Sequence, residues 1–247
     1  MSEYVRRSKP ADRLGRQVLK PERPFMWNHL ASTDFVAILS YALPLVSYLV
    51  TIQRRQHDRS TRLFFLYLFL SAGFNTVNFF TGVYYINNLL IYTLQFTVEY
   101  YLLSWMFMHL LKKAIYQKLI RWMMLGYVAL LALNIRRILS TNTFDSYDAA
   151  FVGFVIIIYC ILFFHLQLSN LQVTFIYRTP WFWFITALLF FYSGCFLIFL
   201  STDYIMYFNN SFSIGLWDLR NLLDIVKNIV ITIGIFYLPG KYSWKTY

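Results

Sequence analysis

Three charged side chains stand inside the last apolar stretch of the chain, residues 216–238: Arg220, Asp224 and Lys227. Their spacing of four and three places them on one helical face, with Asp224 between two cations. An earlier apolar stretch carries Glu99 near its middle and Gln95 one turn before it, and the stretch preceding that carries Asn75 and Asn78. A charged group at mid-span in hydrocarbon costs about 3 kcal/mol or more, so such residues face the protein interior and pair. This set could do one of two kinds of chemistry. Glu99 and Asp224 could serve as acid and base, or the lysine and carboxylates could line a polar pocket that recognises a ligand. A third reading is purely structural, since a buried ion pair can fix helix register with no ligand involved.

Helices must position these residues. Of 247 residues, 59% are hydrophobic, 21% aromatic and only 13% charged, which is too apolar for a soluble globular domain. The expected fold is all-α, a polytopic membrane protein built as a seven-transmembrane-helix bundle. Helix 1 is expected over 34–52 with a kink at Pro44, helix 2 over 63–84 and helix 3 over 89–111. Helix 4 runs to 135, helix 5 covers 149–168, helix 6 starts at Pro180 and helix 7 covers 216–238. The bundle is thus residues 34–238. Residues 1–33 read as a basic, disordered tail with Pro10, Pro21 and Pro24 opposing a helix, and 239–247 as a short cytoplasmic tail. A tight turn is expected at Asn87 and Asn88. In helix 6 the Ser193-Gly194 pair should let a neighbour approach closely.

The net charge of +11 is topological and calls for no nucleic acid partner. Lys and Arg cluster in the connections between helices 1 and 2 (Arg54, Arg55, Arg59, Arg62) and 3 and 4 (Lys112, Lys113, Lys118, Arg121), and with the connection between 5 and 6 (Arg178) and the C-terminal tail (Lys241, Lys245) these outnumber the basic residues of the other connections. By the positive-inside rule these face the cytoplasm, which puts the N-terminus outside. The basic tail 1–33 opposes that assignment, and a natural start at Met26 would remove the conflict. Helix 2 ends, and helices 3 and 7 begin, on one membrane face. Asn75, Asn78, Gln95, Glu99, Asp224 and Lys227 therefore lie at comparable depth and converge on a pocket between helices 2, 3 and 7, with Lys227 paired to Glu99, Asp224 or both. Arg220 lies close enough to the interface to snorkel. No HExxH, GxSxG, Walker loop or CxxC is present, no histidine pair has metal-ligand spacing, and no cofactor is indicated. The balance leans away from an enzyme.

The runs NNLLIYTLQFTVEYYLL, FDSYDAA, PWFWF with FYSG, and LW followed by NIVITIG resemble an uncharacterised family of bacterial seven-helix membrane proteins over the last two thirds of the chain. The resemblance implies a bacterial inner-membrane location and matches Glu99, Ser193, Gly194 and Asn228 to family positions. Thr93 and Arg220 stand where histidine is expected, Val152 where a carboxylate is usual, Cys195 and Asp224 where asparagine is usual, and Lys227 where an aliphatic residue is usual. These departures cluster in the pocket, where a lysine and carboxylates take the place of histidines.

Two functional classes lead. A sensor or receptor-like module would bind a small or lipid-like ligand and act through a separate cytoplasmic or membrane signalling partner. The alternative is an intramembrane lipid-modifying enzyme, or an ion or proton transporter, using Glu99 and Asp224. What separates them is whether Lys227 seals the carboxylates or leaves them open.

Overall fold

The computed structural model describes residues 33–51, 58–84, 89–140, 146–169, 176–208 and 210–238. The basic tail, Arg54 and Arg55, the turn at Asn87 and Asn88, and the C-terminal tail lie outside the described residues. Among the described residues there are seven helices, one short 3-10 turn and no strand. Helix α1 is the span Thr33–Thr51. It is followed by α2 (Arg59–Val83), α3 (Leu89–Leu110), α4 (Ala114–Ser140), α5 (Ser146–Ser169), the 3-10 turn Ile176–Arg178, α6 (Pro180–Phe208) and α7 (Asn210–Phe236).

Helix limits differ from the apolar limits for local reasons. Pro44 has no N–H to give the Ser40 carbonyl, so α1 opens into a turn at Tyr41, three residues before the proline. Tyr41 N–H bonds back to the Ile38 carbonyl at 3.1 Å, and the ladder resumes with Leu45 N–H on the Tyr41 carbonyl at 3.3 Å. Helix α2 begins at Arg59 rather than 63 because Asp58 caps it, accepting from Thr61 N–H at 2.9 Å and from the Thr61 hydroxyl. Helix α4 extends to Ser140, and α7 starts at Asn210 instead of 216. Apolar runs mark where a helix can meet lipid, and backbone hydrogen bonding carries it further.

Consecutive helices run antiparallel. Tyr48 stacks on Phe65 with ring centroids 3.6 Å apart, while Phe35 lies 6.3 Å from Phe79 across α1 and α2. Across α3 and α4, Tyr101 Oη donates to the Met124 carbonyl and Gln117 Nε2 to the Met108 carbonyl. The closest pairing is α6 with α7. A Cβ on Gly194 would sit 2.6 Å from Leu223 Cδ1, and one on Gly234 would sit 2.7 Å from the Phe184 ring. Of the expected small pair, Gly194 makes the close approach. Ser193 instead faces outward and donates its hydroxyl to the Leu189 carbonyl at 2.5 Å. Helices α1, α2, α3, α5, α6 and α7 form a closed ring of neighbours, and α4 packs outside it on α3 and α5.

The exterior is apolar, unlike that of a soluble domain. Leu94, Trp122, Leu125, Leu133 and Leu197 are exposed, whereas Glu99, Asp224, Lys227 and Asn228 are buried. Four helices are long and apolar enough to cross a membrane: Thr33–Thr51, Arg59–Val83, Tyr147–Ser169 and Pro180–Leu200. The other three carry charged residues within their length, namely Glu99 on α3, Lys118 and Arg121 on α4, and Arg220, Asp224 and Lys227 on α7. An apolar exterior around an apolar core that encloses a polar cluster, with several membrane-length helices, defines a helical integral membrane protein.

Candidate ligand-binding site

Lys227 is 1% exposed. Its ammonium donates to Asp224 at 2.5 Å and to Tyr41 Oη at 3.1 Å. Three rings surround it, with centroids at 4.5 Å (Phe191), 4.8 Å (Tyr41) and 5.8 Å (Tyr67), so a desolvated cation meets π faces wherever it lacks a carboxylate. Tyr41 is the hub. Its hydroxyl donates to Asp224 Oδ1 at 3.1 Å and accepts from Lys227 and, at 3.2 Å, from Asn75 Nδ2. The turn in α1 sets the Tyr41 ring here, and one polar group thereby joins α1, α2 and α7. Just below it, Asn228 Nδ2 donates to Ser40 Oγ at 2.7 Å.

Glu99, 5% exposed, belongs to a second group. Its Oε1 accepts from Ser71 Oγ at 2.7 Å and from Gln95 Nε2 at 2.9 Å, and its Oε2 accepts from Tyr192 Oη at 3.5 Å. Gln95 Oε1 in turn accepts from Asn78 Nδ2 at 2.8 Å. This group joins α2, α3 and α6 through neutral donors. Tyr67 touches both groups: its ring faces Lys227, and its hydroxyl lies beside that of Tyr192 without hydrogen-bond geometry between them.

The residues expected from the sequence are thus brought together, but in two groups. Asn75, Asp224 and Lys227 form one; Asn78, Gln95 and Glu99 form the other. Of the pairings open for Lys227, the structure has Asp224 and not Glu99. Arg220 stands apart and does not snorkel. It is 7% exposed, its Nη1 donates to Asn221 Oδ1 at 3.4 Å, and its guanidinium lies 5.8 Å from the Trp217 ring centroid. Among the described residues no group of three or more His, Cys, Asp or Glu side chains could hold a metal ion.

Sequence reasoning missed Tyr41, Tyr67 and Tyr192, because tyrosine is one of the commonest residues here, with 20 in the chain, and nothing in its pattern separates a lipid-facing ring from a hub. It also missed Asn221. Here a signal exists: Arg220, Asn221, Asp224, Lys227 and Asn228 recur at the spacing of one helical stripe, and all five are buried.

Fold and site together define a helical integral membrane protein with an ion pair and a second carboxylate buried between its helices. No family model, no curated protein and no solved structure matches this chain.

Proposed function

We propose that this chain is a sensor or receptor-like module, a seven-span bundle of the bacterial inner membrane with its N-terminus outside and C-terminus in the cytoplasm. It takes a small or lipid-like ligand at the polar site and acts on a separate cytoplasmic or membrane partner. One observation carries this reading: a single lysine stands near two buried carboxylates that belong to different helix groups, and it pairs with one of them. Such an arrangement has two electrostatic solutions. A ligand that competes for Asp224 or Tyr41 frees Lys227 toward Glu99 and shifts α1 and α7 against α2, α3 and α6. The shift can be no larger than the ligand's difference in affinity for the two states.

The same pairing weakens the enzyme and transporter reading. Acid-base work on one substrate needs both carboxylates at one reacting bond, whereas Asp224 is held by Lys227 and Tyr41, and Glu99 is held by Ser71 and Gln95.

The test is thermal stability of the purified protein against a lipid and metabolite panel, for wild type, Asp224→Asn, Lys227→Met and the double variant. The sensor reading expects a compound that stabilises wild type and neither single variant. If no compound shifts wild type and the double variant restores what each single loses, the charges are a structural pair.

A further inference from the structure

Arg220 is a buried cation with no carboxylate in direct contact; Asp224 and Asp34 act on it only from beyond ion-pair distance. No carboxylate among the described residues lies within ion-pair distance of it, its Nε is buried without a partner, and its hydrogen bond to Asn221 is long. A desolvated guanidinium in this condition is costly, and its planar fork is built for bidentate capture of an oxyanion. The neighbouring carboxylates each accept from another donor. Asp224 is taken by Lys227 and Tyr41, Asp34 accepts from Asn221 Nδ2 at 2.5 Å, and Asp218 accepts from Thr33 Oγ1 at 2.7 Å.

Charge decides what kind of ligand fits. Asp34 lies in the first turn of α1, Asp218 lies two residues before Arg220 on α7, and both are half-buried while Arg220 is buried. A simple anion at Arg220 would meet these two carboxylates. A molecule with an oxyanion and an ammonium satisfies all three, anion inward and ammonium outward. Trp217 and Tyr92, whose ring centroids are 6.3 Å apart, supply aromatic surface for its apolar part or its ammonium.

We infer that Arg220, Asn221, Asp34 and Asp218 form a site for a zwitterionic ligand that carries a phosphate or carboxylate and an ammonium group. A phosphoethanolamine lipid headgroup and a free amino acid share this chemistry. The inference rests on the reading of the chain as a ligand-taking module and names its ligand class.

The test uses the full chain, in detergent and in lipid nanodiscs, with melting temperature as the readout. The soluble probes are L-alanine and glycerophosphoethanolamine, with inorganic phosphate as the anion alone. Nanodiscs of phosphatidylethanolamine are compared with nanodiscs of phosphatidylglycerol. A zwitterionic probe is expected to stabilise wild type, and Asp218→Asn to weaken its apparent affinity about tenfold, as loss of one charged hydrogen-bond partner should. Arg220→Gln should abolish the response. If that variant does not fold, Arg220→Lys, which keeps the charge and loses the fork, should weaken it. Stabilisation by phosphatidylethanolamine alone assigns a lipid headgroup, and stabilisation by the soluble probes assigns a free solute. The inference is overturned if no zwitterionic probe shifts wild type, if the shift survives unchanged in Asp218→Asn, or if phosphate alone does as well. The sensor reading fails separately if a zwitterion binds but leaves the coupling between Lys227 and Asp224 unchanged.

Discussion

At the scale of single residues, Tyr41 does most to set the site. Its hydroxyl donates once and accepts twice, which exhausts what a hydroxyl can do. Tyr41→Phe therefore leaves the Asn75 amide and Lys227 each short of an acceptor. The expected cost is about 1–3 kcal/mol of unfolding free energy, read by denaturation in detergent, whereas Tyr48→Phe, on the outer part of α1, should cost less. Glu99→Gln keeps one acceptor oxygen for Ser71 and Gln95 and sets an amide donor opposite the Tyr192 hydroxyl, which must turn to accept; it should lose about 1 kcal/mol. A larger loss would mean that the Glu99 charge is paired more strongly than its neutral donors imply. The charged members of the site were legible in the sequence because charge in an apolar run is costly and so informative. Tyrosine in an apolar run costs little, and the hub was hidden for that reason.

At the scale of the helix, the seven segments were legible and their ends were not, since Asp58 caps α2 ahead of its apolar run and α7 starts well before its own. Asp58→Ala should cost about 1 kcal/mol, seen as a lowered melting temperature with the site intact. The two glycine contacts of α6 with α7 give a sharper test. A methyl at Gly194 must displace the flexible end of Leu223, while one at Gly234 meets the Phe184 ring and Trp183 Cβ. Both Ala variants should destabilise by about 1–3 kcal/mol through overpacking, Gly234→Ala more than Gly194→Ala because a ring wedged between helices has less room to turn aside. Equal melting curves for wild type and Gly234→Ala would show that the helices stand further apart.

At the scale of the whole molecule, the sequence indicates an apolar exterior and an inner polar pocket, and the structure adds the grouping: α1 with α7 around Lys227, and α2, α3 and α6 around Glu99. That grouping depends on which helices are neighbours, and spacing along one chain does not encode it. Topology can be tested directly, because Cys160 and Cys195 are both buried and should give little background with a membrane-impermeant maleimide. In intact cells Tyr84→Cys should label and Lys113→Cys should not, and inverted vesicles should reverse the result. The opposite pattern would turn the bundle over.

The central claim is that one lysine serves two carboxylates and rests on Asp224. Two double-mutant cycles in unfolding free energy test it, Lys227→Met with Asp224→Asn, and Lys227→Met with Glu99→Gln. Breaking a buried pair by removing one partner costs about 3–5 kcal/mol, and removing both restores much of it. The first cycle should therefore give a coupling of about 3 kcal/mol and the second under about 1 kcal/mol, with the balance moving toward Glu99 when ligand is bound. A larger coupling to Glu99 in the free protein, or equal couplings that no ligand changes, would contradict the account.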